Sequence, residues 1–200
     1  MHPGPFFCLL RPFLSQETDN KAEKAKKGSR REARAPTNSP EMRILQLIEE
    51  GGAPSVRELS SLFDALEPIA PEDLLGDWSG GDFYSPSDTD DPRAEPKPMH
   101  PCHAMLENYR WAGMVVKSVD EVLPVMSWTD DGKRVVSTYW GGAQLRELKF
   151  NGVVSTSLIF DCYPIIDHFR RVSDNTLMAL LEAKEKNLKD AGPYYFWVRK

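Results

Sequence analysis

Gly76-Asp77-Trp78-Ser79-Gly80-Gly81 is the stretch whose reading decides the fold. A tryptophan set between glycines reads as the start of a strand in which a large ring lies against a neighbouring backbone, because glycine carries no side chain to resist it. Around it, residues 75–84 switch to the two-residue alternation of a strand. Strand candidates then follow at 114–119, 122–129, 133–140, 144–150, 153–161, 165–172, 176–183 and 194–199, with a short helix at 104–109. Asp130-Asp131-Gly132, Asn151-Gly152 and Ser173-Asp174-Asn175 are hairpin signals between them, since Asn and Gly tolerate positive φ. About nine short strands would strain an open twisted sheet, and closure removes the exposed edges. The expected fold is mainly β, an antiparallel barrel with two short N-terminal helices. A strongly bent open sheet capped by those helices is the alternative.

The helices precede the barrel. Ser39-Pro40-Glu41 reads as an N-cap, a proline at the first position and an acidic first turn, followed by Ile44, Leu45, Leu47 and Ile48 and stopped by Gly51-Gly52. Ser55 with Glu58 reads as a capping box ahead of Leu59, Leu62, Phe63 and Leu66. Residues 1–39 read as a disordered tail, 40–66 as a helical cap and 67–200 as the barrel domain. Truncation immediately before Ser39 is expected to leave the melting temperature unchanged; a fall of several degrees would show that the tail packs on the body.

Composition narrows the function. The net charge is −5, but residues 1–40 carry +4 and the remainder −9. An acidic body repels phosphate backbones, so nucleic acid is not an expected partner. No apolar run approaches the roughly 20 residues of a membrane span. The apolar stretch 6–14 is interrupted by Arg11-Pro12 and does not read as a signal peptide. Cys8, Cys102 and Cys162 are too scattered for a disulfide framework, which points to a reducing, cytoplasmic setting.

The Gly-x-Trp motif resembles the first strand of lipocalin-type barrels, where the tryptophan closes one end under a late-strand arginine; Arg199 is the matching residue here. More specifically, Gly76-Asp77-Trp78-Ser79-Gly80 resembles the motif of the GXWXG protein family. Pro164-Ile165-Ile166-Asp167-His168-Phe169-Arg170, with Asp161 before it, resembles the domain of unknown function that follows in that family. His100-Pro101, Leu106 and Trp111-Ala112-Gly113 are similar to its middle segment. Met99 and Ala179 depart from family glycines, and the loop before His100 is longer. The resemblance covers about residues 67–200 and implies architecture without an activity.

The richest chemistry lies in Asp161, Asp167, His168 and Arg170. Alternation puts Ile166, His168 and Arg170 on one face and Asp167 on the other. With Leu158 and Phe160 inward on the preceding strand, the expectation is that His168 and Arg170 point into the barrel and Asp167 does not. The leading function is then binding of a small hydrophobic molecule, with Trp78, His100, Trp111, Asp161, His168 and Arg170 as the candidate ligand-binding residues. A small isomerase or hydrolase is the alternative, with His168 as acid/base and Asp161 or Asp167 orienting it. Haem is a third reading, since the haem-binding nitrobindins share the Gly-x-Trp-x-Gly strand; it needs His168 or His100 as a ligand. A filled barrel serving as a scaffold is the fourth. His100, Cys102 and His103 are close enough to suggest metal ligands, but no second cluster supports them, so neither a metal nor another cofactor is expected. An interior of roughly a few hundred Å³ separates the binding readings from the scaffold.

Overall fold

Asn151 and Gly152 adopt φ of 47° and 83°, the left-handed pair that a two-residue hairpin requires, and they join two strands, Ala143–Phe150 and Val153–Phe160, that pair along their whole length. The computed structural model describes residues 39–51, 54–84 and 99–200. The sequence-based expectations for the N-terminal tail and for the loop 85–98 lie outside the described residues.

Eight antiparallel strands close into a barrel. In chain order these are β1 (Gly76–Asp82), β2 (Met114–Ser118), β3 (Glu121–Leu123), β6 (Ala143–Phe150), β7 (Val153–Phe160), β8 (Ile165–Ser173), β9 (Thr176–Ala183) and β10 (Tyr194–Arg199). Around the ring the order is β1-β10-β9-β8-β7-β6-β3-β2. The remaining strands, β4 (Met126–Trp128) and β5 (Arg134–Val136), form a separate ribbon. Residues 122–129 were expected as one strand; Pro124 splits them, because it has no N–H for the ladder. Residues 133–140 likewise divide into β5 and a 3₁₀ turn, Thr138–Trp140. All three expected turns are present, with Gly132 at φ 76° closing the ribbon.

Helices α1 (Pro40–Glu50) and α2 (Val56–Ala65) start as their caps dictate. Ser39 accepts from the Met42 amide at 3.3 Å and Ser55 from the Glu58 amide at 3.1 Å. Their apolar faces, Ile44, Leu47, Leu59 and Phe63, pack with Val172, Met178, Leu180 and Tyr195. The outer face of β8, β9 and β10 is therefore as dry as the inner one. Helix α3 (Pro101–Asn108) is longer than expected, because the His100 imidazole serves as its N-cap: Nδ1 accepts from the Cys102 amide at 3.1 Å. Helix α4 (Lys186–Ala191) and a 3₁₀ turn at Pro71–Leu74 had no counterpart in the sequence reading. Among the described residues no helix is long and apolar enough to cross a membrane.

The glycines of the opening motif do a different job from the expected one. A Cβ at Gly80 would sit 2.1 Å from the ring of Trp111, so it is Trp111, not Trp78, that lies on this strand's backbone. Gly113 has φ 96°, and a Cβ there would meet the Trp78 carbonyl oxygen at 2.0 Å. Trp78 itself is fully buried, and its indole N–H donates to the Leu74 carbonyl at 2.8 Å. It fills the interior among Met114, Val116, Leu177 and Val198.

Arg134 fastens the ribbon to the barrel. Its guanidinium donates to the carbonyls of Ala112 (2.9 Å), Trp78 (2.7 Å) and Met114 (3.2 Å) and pairs with Asp77. Arg134→Met is expected to lower stability by about 1.5–3 kcal/mol, the range for hydrogen bonds to a charged group. Arg134→Lys should not restore it, because a single ammonium lacks the planar fork that reaches several carbonyls. Unchanged urea midpoints for both variants would contradict this role.

Candidate functional site

Strand β8 sets the chemistry of the interior by its register. Leu158 of β7 stands opposite Asp167, and Asp167 stands opposite Leu181 of β9. Directly opposed residues share a face, so Asp167 points inward with Ile165 and Phe169. His168 and Arg170 point outward. The expected orientation is thus reversed, and the reason is parity. Residues 161–164 connect β7 to β8, so an inward Leu158 pairs with an odd-numbered residue. Burial of the outer face beneath α1 and α2 hid the error, since polar and apolar residues occur on both sides of β8.

His168 and Arg170 are buried, but on that outer side. His168 stacks on Phe150 with centroids 4.0 Å apart, its Nε2 lies 3.1 Å from Glu182, and its Nδ1 lies 2.8 Å from the Ser157 hydroxyl. Because a carboxylate only accepts, Nε2–H donates to Glu182 and Nδ1 accepts from Ser157. Burial lowers the His168 pKa, with the Glu182 carboxylate opposing it. Arg170 donates to the carbonyls of Phe169 and Phe150 and lies 5.1 Å from the Phe63 ring centre. Burial lowers its pKa too. Neither side chain lines the interior cavity.

That cavity has a volume of about 50 Å³. It is enclosed by Cys102, Met105 and Leu106 of α3, by Tyr109, Trp111 and Met114, by Pro124, Val125 and Trp140, and by Phe160, Ile165, Leu181, Tyr194 and Phe196. Among the described residues, Asp167 is the only acidic side chain on its wall. At 6 % exposure, with Oδ1 lacking any hydrogen-bond partner, its carboxyl is pushed up to about 8 by desolvation. The Trp140 indole nitrogen is also buried and unpartnered. One water needs roughly 10–15 Å³ of such space, so the chamber has room for the polar head of a small molecule. A wider cavity of about 270 Å³ adjoins it and shares Met105, Tyr109, Trp140 and Ile165. Its rim is aromatic: Tyr139 lies 5.6 Å from Tyr109 and 5.9 Å from Tyr163 between ring centres, and Tyr163 lies 5.1 Å from Trp140.

Of the six candidate ligand-binding residues read from sequence, Trp111 alone lines the inner chamber; Asp167, expected to point away, lines it too. Trp78 belongs to the packed core, with the Lys200 ammonium 4.4 Å from its ring centre. The expected Arg199 partner is corrected by register: Arg199 opposes Ser79, points outward, lies 5.8 Å from the Trp197 ring and pairs with Glu49 at 3.0 Å. His100 borders the chamber indirectly. It stacks on Tyr194 at 4.8 Å, and its Nε2–H donates to the Gly192 carbonyl at 3.3 Å. Asp161 is exposed in the β7–β8 connection. The His100, Cys102 and His103 set does not converge on a metal. His103 pairs with Asp82 at 2.7 Å, to which the Tyr194 hydroxyl also donates, and burial pushes the Cys102 thiol up to about 12. For haem, this chamber offers no histidine among the described residues, and its volume is far below that of a macrocycle.

Residues 61–132 match the GXWXG protein family, and residues 141–200 match the domain of unknown function DUF4334. The chain thus carries a GXWXG segment followed by a DUF4334 segment. The first matched segment contains β1 to β4 with α3, the second β6 to β10 with α4, and β5 lies between them. Both matched segments supply walls of the chamber. A crystal structure of a protein from Thermomonospora curvata is similar, with a TM-score of 0.69 and 29% identity over 82% of this chain and 99% of that chain. No curated protein matches the chain.

Proposed function

We propose that this protein binds a small, largely apolar molecule carrying one polar group, with the polar group at Asp167 in the inner chamber and the apolar body in the aromatic mouth. One observation carries the reading: a buried carboxyl with an unpartnered oxygen faces a cavity whose other walls are apolar or aromatic. Leaving such a group unsatisfied costs about 1–3 kcal/mol, and a bound ligand would remove that cost. The site differs from the one expected from sequence, since its anchor is an acid in place of His168 and Arg170. An enzymatic role for His168 loses its support, because the imidazole lies across the sheet from the cavity.

Native mass spectrometry of the purified full chain tests the reading. A bound small molecule is expected, and it should be missing from Val125→Trp, which fills the chamber. Equal adduct on both proteins, or none on either, would contradict it.

A further inference from the structure

Charge and ring chemistry narrow the ligand further, on the assumption that the binding reading above holds. Among the described residues that line the inner chamber and its mouth there is no lysine, arginine or histidine. The acidic groups among them are Asp167 inside and Glu185 at the rim. A carboxylate or phosphate ligand would find no counter-charge there. A cation finds the opposite: an acid at the end of the chamber, and the rings of Trp111, Trp140, Tyr109, Phe160 and Phe196 around it. Aromatic faces attract alkylammonium ions, by about 2 kcal/mol or more when water is excluded. The acidic body, −9 outside residues 1–40, draws cations from solution.

We propose that the ligand is an organic ammonium ion, a protonated amine whose nitrogen sits against Asp167 and whose apolar body lies among the aromatic rings of the mouth. The sheet surroundings of Asp167 fit this role. Its neighbours across β7 and β9 are Leu158 and Leu181, so no protein group competes for its free oxygen. Binding should also release a proton. Without ligand, desolvation keeps Asp167 protonated at neutral pH; an ammonium beside it favours the carboxylate. The other titratable groups on the chamber wall are the Cys102 thiol and the Tyr109 and Tyr194 hydroxyls. Burial raises the pKa of each, so they keep their protons.

The test is isothermal titration of the full chain at neutral pH with phenethylamine, phenethyl alcohol and phenylacetate, which present three heads on closely matched bodies. The amine is expected to bind roughly tenfold or more tighter than the alcohol, a difference of about 1.4 kcal/mol. Phenylacetate should bind weakest. Repeating the amine titration in buffers of different ionisation heat should show release of close to one proton, and Asp167→Asn should lose both the preference and the release. The proton count is read on the wild type, so the result does not depend on how the variant folds. Alcohol binding as tight as the amine, or amine binding without proton release, would overturn the ammonium inference while leaving small-molecule binding in place. If none of the three binds, the inference also falls; an adduct in native mass spectrometry that is lost in Val125→Trp would then show that the binding reading survives it.

Discussion

Trp78→Ala should lower the stability of the chain by about 3–5 kcal/mol, as large-to-small changes do in packed cores. For a protein of this size that is a fall of roughly 6–20 °C in melting temperature. The ring is fully buried, its N–H is bound to Leu74, and the residues around it belong to β1, β2, β9 and β10. Its removal therefore opens a void where the barrel seam between β1 and β10 closes. Lys200→Ala should cost less than about 1 kcal/mol, the scale of an exposed cation over a ring. It should be non-additive with Trp78→Ala, because either change removes the same ammonium–ring contact. Arg199→Ala should instead be additive with Trp78→Ala, since Arg199 lies over Trp197 on the other face. Urea unfolding of the single and double variants separates these outcomes. Coupling between Trp78 and Arg199, or a Trp78→Ala protein as stable as the wild type, would contradict the register of β1 and β10.

The second large effect is a pH dependence with an unusual sign for a carboxyl. The Asp167 pKa is about 8 in the folded protein against an ordinary 3.8, so between those values the folded state holds a proton that the unfolded chain has released. Raising the pH through that window then favours unfolding. Each pH unit within it costs about 1.4 kcal/mol. Asp167→Asn removes the titration and leaves only a constant offset from its own buried amide. The stability of the wild type relative to Asp167→Asn should therefore fall steadily from about pH 4 and level off near pH 8. His168 pulls the other way, because burial lowers its pKa, but it is present in both proteins and cancels. Urea midpoints across the window provide the measurement. A constant difference would mean that Asp167 is not held in the protonated form.

Much of the fold was legible because local signals agreed with one another. Ser39 and Ser55 cap their helices, and Asn151-Gly152 makes the hairpin that its residue types demand. Most period-two runs became strands, but Pro124 splits 122–129, and 133–140 ends in a 3₁₀ turn. What sequence alone concealed was non-local. The facing of β8 depends on which residue lies opposite Leu158, and a shift of one residue turns every side chain to the other face. A parity count across residues 161–164 would have placed Asp167 inward, given Phe160 and Leu158 inward. Hydrophobicity could not correct the choice, because α1 and α2 cover the outside of the same strand and bury His168 and Arg170 there. The glycine motif was read as room for Trp78, whereas Gly80 makes room for Trp111, a residue thirty-one positions away that only the closed barrel brings into contact. Trp140 and Met105 gave no signal as cavity residues, since each looks like ordinary core until α3 and the 3₁₀ turn at Thr138–Trp140 are in place.

The central claim is that Asp167 is a dry, protonated carboxyl facing the interior of the barrel. Infrared difference spectroscopy between the wild type and Asp167→Asn reads that state directly, because a protonated carboxyl and a carboxylate absorb at separate frequencies. The wild type should show one extra carboxylic-acid C=O band at neutral pH, disappearing near pH 8. A carboxylate band at neutral pH, with its proton lost near the ordinary value of 3.8, would place Asp167 in water and contradict the account.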